Sequence, residues 1–134
     1  MAITEPPTDK KYFTIDEANK MLPLVRAIVA DISTLAHSMK ERHDRLDELT
    51  GPARETLEDE IQVDHDRMQE LVEEVADLGI ELKDFFTGLI DFPCWTNDRE
   101  IYLCWKLGEP TIGHWHETWA GFSGRRKIRQ ADVH

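Results

Sequence analysis

The sequence predicts an α+β fold: a long antiparallel, coiled-coil-like helical hairpin followed by a small antiparallel β-sheet. Three observations point there. Apolar residues recur by threes and fours along residues 21–49 and again along 57–78. The segment Thr50-Gly51-Pro52 breaks the chain between the two runs. After Ile80 the period falls towards two, and all four tryptophans lie between Trp95 and Trp119.

The 134 residues fit one domain, with residues 1–12 as a polar, frayed arm, 13–79 as the hairpin, 80–122 as a β-rich Trp/His region and 123–134 as a basic tail. Thr14-Ile15-Asp16-Glu17 opens the first helix. Thr14 is placed to cap free amides and Glu17 to reach back and complete a capping box, with Phe13 positioned to staple onto Ala18. The first seam runs Met21, Val25, Ile28, Ile32, Leu35, Met39, Arg42, Leu46, Leu49, with Arg42 its one charged member. Pro23 sits early enough to bend this helix without ending it. The second seam, Leu57, Ile61, Asp64, Met68, Leu71, Val75, Leu78, also has one polar member, Asp64, and Gly79 closes it. A hairpin with arms on the order of 40–50 Å cannot cover both of its own seams. The C-terminal third or a second copy of the chain must do so, and a homodimer through the helices is expected.

Ile80 to Lys83 alternates, Asp84 to Gly88 reads as a turn, and Leu89–Trp95 and Glu100–Lys106 read as two strands around Asn97-Asp98. A turn centred there puts Ile90, Phe92 and Cys94 on one apolar face with Ile101, Leu103 and Trp105. The opposite face carries Asp91, Trp95, Glu100, Tyr102, Cys104 and Lys106, with Asp91 directly across from Cys104. Thr111–Thr118 is extended or a further strand, Gly121–Gly124 is loop, and Arg125 to Arg129 is basic.

The net charge is −11, of which residues 1–79 carry −10. This balance opposes nonspecific binding to DNA or anionic lipid, so nucleic acid is not the expected partner. In so acidic a protein the basic tail is expected to dock on the protein itself. No apolar run is long enough to cross a membrane, the N-terminal residues do not resemble a secretory leader, and two cysteines are not a disulfide framework. A reduced, cytoplasmic protein is expected. The sequence carries neither a phosphate-cradling Gly-rich loop nor a Gly-x-Ser-x-Gly elbow.

Chemistry concentrates near Gly113-His114-Trp115-His116-Glu117. On an extended backbone His114 and His116 project to one side, about 6.5–7 Å apart, and two such imidazoles can share a transition metal. Glu117, Glu109, Asp91 and Cys104 are candidates to complete the shell. The plainer alternative has His116 bonded to a structural carboxylate and His114 solvated. Cys104 beside Asp91 suits a metal ligand better than a nucleophile, because a carboxylate raises a thiol's pKa and a metal reverses that effect. The four tryptophans, Trp95, Trp105, Trp115 and Trp119, are either core anchors or the walls of a pocket for haem or another planar ligand.

The chain resembles an uncharacterised prokaryotic family catalogued as domain of unknown function 2203. The resemblance rests on Phe13-Thr14-Ile15-Asp16-Glu17-Ala18-Asn19, Leu22–Val25, Gly79–Asp84 and Thr87–Pro93. It continues through Arg99–Trp105, Leu107–Pro110, Trp115-His116-Glu117 and Gly121–Arg125. It implies a polar site at Asp91, Cys104, Glu109, His116, Glu117 and Arg125. It also implies an acidic residue where Trp119 stands, and His116 as the more typical histidine than His114. Together these readings favour a small metal-binding protein that holds a divalent transition metal, zinc or iron, at His114, His116, Glu117, Asp91 and Cys104. Glu109, Trp105, Trp115 and Arg125 would line the ligand site. The rival reading is a helical assembly module with no ligand.

Overall fold

In the computed structural model, which describes residues 9–129, helix α1 (Ile15–Arg45) and helix α2 (Gly51–Asp77) form the hairpin. The expected capping box opens α1: the Glu17 amide donates to Thr14 Oγ1 at 3.1 Å, and the Thr14 amide donates to Glu17 Oε1 at 3.0 Å. The helix continues through Pro23. It stops at Arg45, earlier than the seam to Leu49 implied, and the chain tightens into a 3-10 turn over Leu46–Glu48. Arg54 Nη1 of α2 donates to the Leu46 carbonyl at 2.6 Å, satisfying one acceptor that the end of the first helical run leaves open. The two polar members of the seams, Arg42 and Asp64, bond each other across the hairpin. Each thereby answers the other's charge at a partly buried position.

Gly79 ends α2 with φ +83°, its amide donating to the Ala76 carbonyl while the Ile80 amide donates to Val75. This Schellman arrangement turns the chain back along the hairpin. Five antiparallel strands follow in spatial order: β1 (Glu81–Asp84), β2 (Leu89–Thr96), β3 (Arg99–Lys106), β4 (His114–Glu117) and β5 (Arg126–Lys127). Asn97 and Asp98 both take positive φ, 50° and 61°, as a two-residue type I′ hairpin requires. The register of β2 on β3 is the expected one, with Ile90 opposite Trp105, Asp91 opposite Cys104 and Cys94 opposite Ile101.

The apolar face of this sheet packs on one half of the hairpin. Ile90, Phe92, Cys94, Ile101, Leu103 and Trp105 are buried with Leu22, Val25, Val29, Ile32, Leu71 and Val75. Burying side chains of this size contributes about 1.5–3 kcal/mol each. Packing is close at Gly88, where φ is +69° and an added Cβ would lie 2.8 Å from both Val29 Cγ1 and Leu107 Cβ. Polar ties fix the loops to α1: Asn19 Oδ1 accepts from the Ile112 amide at 2.9 Å, and Arg26 Nη2 donates to the Pro110 carbonyl at 3.0 Å.

One expectation changes, and one is met. The first eight residues of the predicted arm lie outside the described residues, but Lys10 to Tyr12 are held in place rather than frayed. Lys10 pairs with Glu100 at 2.8 Å, Tyr12 meets the Trp95 ring edge-on at 5.7 Å, and the Phe13 amide donates to the Pro93 carbonyl at 2.7 Å. Phe13 itself packs against Phe92 at 5.3 Å. The basic segment docks within the chain as expected, and it does so on the sheet: Arg126 and Lys127 pair with Trp115 and His114 as β5. The last five residues of the predicted tail lie outside the described residues. No helix among the described residues is long and apolar enough to cross a membrane.

Candidate metal centre

The sheet's second face faces away from the helices, yet part of it is buried. Asp91 on β2 and Cys104 on β3 stand opposite each other, and Tyr102 pairs with His116 one row along. Asp91 is 1% exposed, Cys104 0% and His116 2%. Their ligand atoms, a carboxylate oxygen, Sγ and an imidazole nitrogen, all lie within 4.8 Å of one another. No other group of three or more His, Cys, Asp or Glu side chains among the described residues comes together in this way.

The hydrogen bonds at His116 define its chemistry. Its Nδ1 lies 2.8 Å from the Glu117 carbonyl oxygen, which can only accept, so Nδ1 carries a hydrogen and donates. In the neutral ring the lone pair then belongs to Nε2. That nitrogen lies 3.0 Å from both Asp91 oxygens. A lone pair cannot bond a carboxylate directly, so a positive centre must sit between them: a shared proton, or a metal ion. A backbone carbonyl that fixes one imidazole nitrogen while the other is presented to a cation is the usual support of a metal-bound histidine.

The thiols respond to the same surroundings. Burial pushes the Cys104 thiol up to about 12, with the neighbouring Asp91 charge adding to the effect. Burial pushes Cys94, on the helix-facing side of the sheet, up to about 11. Burial also raises the Asp91 carboxyl above the ordinary carboxylate range, and His116 opposes that rise. Beside Asp91 and His116 a cavity of about 220 Å³ opens, walled also by Lys83, Leu89, Tyr102 and Phe122. Lys83 Nζ lies 5.4 Å from the Tyr102 ring centroid and 2.9 Å from Glu81 Oε1.

The other sequence candidates lie elsewhere. His114 stands directly across from Cys104, but its Nδ1 turns to Glu109 Oε2 at 3.5 Å. Glu117 falls on the opposite face from His116, because side chains alternate along a strand, and its carboxylate grips Arg99 through two bonds of 2.9 Å. Glu109 is held by Arg125 Nη2 at 2.7 and 2.9 Å, and its own carbonyl accepts from the Trp105 indole at 2.9 Å. This knot braces the backbone behind Cys104, whose carbonyl lies 3.4 Å from Arg125 Nη2. The tryptophans do not converge on a planar pocket. Trp105 and Trp115 belong to the helix-facing core, Trp95 meets Tyr12, and Trp119 is 81% exposed. Lys83 and Tyr102 were not among the sequence candidates. The parity that put Tyr102 on the face of Cys104 was the available signal for it, whereas Lys83 reaches the cavity after a register shift in β1 that no residue pattern announces.

The family model described as an uncharacterized conserved protein (DUF2203) matches residues 11–128. The chain belongs to this family. A search of curated proteins and a search of solved structures each find no match. The DUF2203 match spans the hairpin and the whole sheet, so the fold and the Asp91, Cys104, His116 cluster lie within it.

With both thiols shifted so far upward, neither is ionised near neutrality in the metal-free protein. Ellman's reagent at about pH 8 is expected to label neither cysteine of the native chain and both after denaturation. Rapid labelling of native Cys104 would contradict the buried, protonated thiol.

Proposed function

We propose that this DUF2203 protein is a metal-binding protein that holds one divalent transition metal, zinc or iron, at Asp91, Cys104 and His116. The observation that carries the reading is His116 itself: Nδ1 committed to a carbonyl, Nε2 aimed at a carboxylate, and a thiol alongside. Charge supports it. A divalent ion with one carboxylate, one thiolate and a neutral imidazole is electrically neutral, the cheapest state for a buried centre. Distance supports it as well. Tetrahedral ligands at metal–ligand lengths of 2.0–2.3 Å lie roughly 3.5 Å apart, so ligand atoms within 4.8 Å of one another need only a modest contraction. A three-residue set beside a cavity resembles the open arrangement of reactive metal sites, in which a water or substrate takes the remaining position. The two unpaired cysteines fit a reducing compartment such as the cytoplasm.

Metal content and zinc or iron(II) titration of untagged protein test this reading. The wild type is expected to take up one equivalent. At a hundredfold excess over Kd the metal would stabilise the fold by about 2.7 kcal/mol, read as a rise in Tm. Asp91→Asn, Cys104→Ser and His116→Ala are each expected to weaken binding by roughly a hundredfold or more, while His114→Ala and Glu117→Gln stay within a few fold. Absence of uptake by the wild type, or full affinity in Asp91→Asn, would sink the proposal.

Self-association is a second reading, compatible with the first. The sheet packs against the open ends of the hairpin, and towards the turn Val63 is 66% exposed. A homodimer that buries this part of the helices is expected to double the mass seen by light scattering, and Val63→Asp to restore the monomer. A monomeric wild type at high concentration would exclude it.

A further inference from the structure

The richest feature outside the Asp91 centre is a groove between the two helices and the β1–β2 turn. Its volume is about 470 Å³, and Met39, His43, His65, Met68, Phe85 and Phe86 line it. Met39 and His43 are four residues apart on α1, and His65 and Met68 three apart on α2, so each pair shares a helix face. The hairpin brings the two faces together: the His43 and His65 rings lie 5.6 Å apart, centroid to centroid. We infer that this groove is a second metal site, selective for a soft monovalent ion of the copper(I) class, held by the two imidazoles and the two thioethers.

Geometry and charge both carry the inference. An imidazole bound through nitrogen at about 2.0 Å has its centroid roughly 3.2 Å from the metal, so two imidazoles sharing one tetrahedral ion stand roughly 5.2 Å apart. The observed 5.6 Å leaves little movement to make. None of the four donors brings a negative charge, and no carboxylate lines the groove. His43 and His65 are exposed and Met39 and Met68 half-buried, so an ion enters from solvent. The set adds no negative charge to a divalent ion but suits a monovalent one, and thioether sulfur favours copper(I) over magnesium or calcium. The one cation among the lining side chains, Lys40, is already paired with Asp44 at 2.8 Å. Phe85 and Phe86, 43% and 42% exposed, wall the opening with apolar surface. The groove shares no lining residue with the cavity beside Asp91.

The test is anaerobic copper(I) titration of the full chain against a chromophoric copper(I) chelator, with silver(I) as a redox-silent probe in NMR. Cys104→Ser separates this site from the other centre and is expected to keep one equivalent in the groove. Met39→Leu/Met68→Leu is expected to weaken copper(I) binding roughly tenfold or more while zinc uptake is unchanged, and His43→Asn/His65→Asn to abolish it. Silver(I) should move the Met39 and Met68 methyl signals of the wild type, a readout that needs no variant. Circular dichroism checks that each variant keeps its helices. Copper(I) binding that disappears in Cys104→Ser, survives in both double variants, or is absent from the wild type would overturn the assignment.

Discussion

Two residues, Asn97 and Asp98, make the tightest connection in the sheet, and the rest of the molecule depends on the register they set. Both hold the left-handed backbone that a type I′ turn demands. Residues 89–96 then oppose 106–99 without a slip. A shift of one position would turn Ile90, Phe92 and Cys94 towards solvent and carry Asp91 into the apolar contact with the helices. The burial of one face therefore determines what the other face displays. Asp91 and Cys104 come together because Ile90 and Trp105, their neighbours in sequence, must meet α1 and α2.

That logic explains what was legible from the residues alone. The capping box at Thr14 and Glu17, the glycine end of α2 and the β2–β3 register are local rules, each set by residues a few positions apart, and each is present. The pairing of Arg42 with Asp64 could be anticipated as two polar members of facing seams. What local rules did not settle was where β4 would lie. The pattern His114-Trp115-His116-Glu117 made both histidines and Glu117 candidates for one ion. Pairing on β3 placed His116 beside Tyr102 with its ring reaching Asp91, left His114 with its Nδ1 3.5 Å from Glu109, and sent Glu117 to Arg99. Strand parity alone could have separated Glu117 from the histidines. Choosing between the histidines needed the third dimension, because only the folded sheet shows that it is His116 whose Nε2 reaches Asp91.

Tryptophan misleads for a related reason. Large aromatic residues clustered in sequence look like a binding surface, but in a domain whose sheet is only one layer thick they also fill the contact with the helices. Trp105 and Trp115 take that role, and neither reaches the cavity beside Asp91. Beside Asp91 and His116, the polar wall of that cavity comes instead from Lys83, Tyr102 and Thr118.

The central claim is that the positive centre between His116 and Asp91 is a metal and that Cys104 binds it as the thiolate. Cobalt(II) reports both points in one absorption spectrum, because thiolate coordination adds a near-ultraviolet charge-transfer band and low coordination number intensifies the visible bands. The account predicts that cobalt(II) added to the wild type produces both signals, and that Cys104→Ser removes the charge-transfer band. A spectrum indistinguishable from cobalt(II) in buffer would contradict it, leaving His116 and Asp91 as a buried pair sharing a proton.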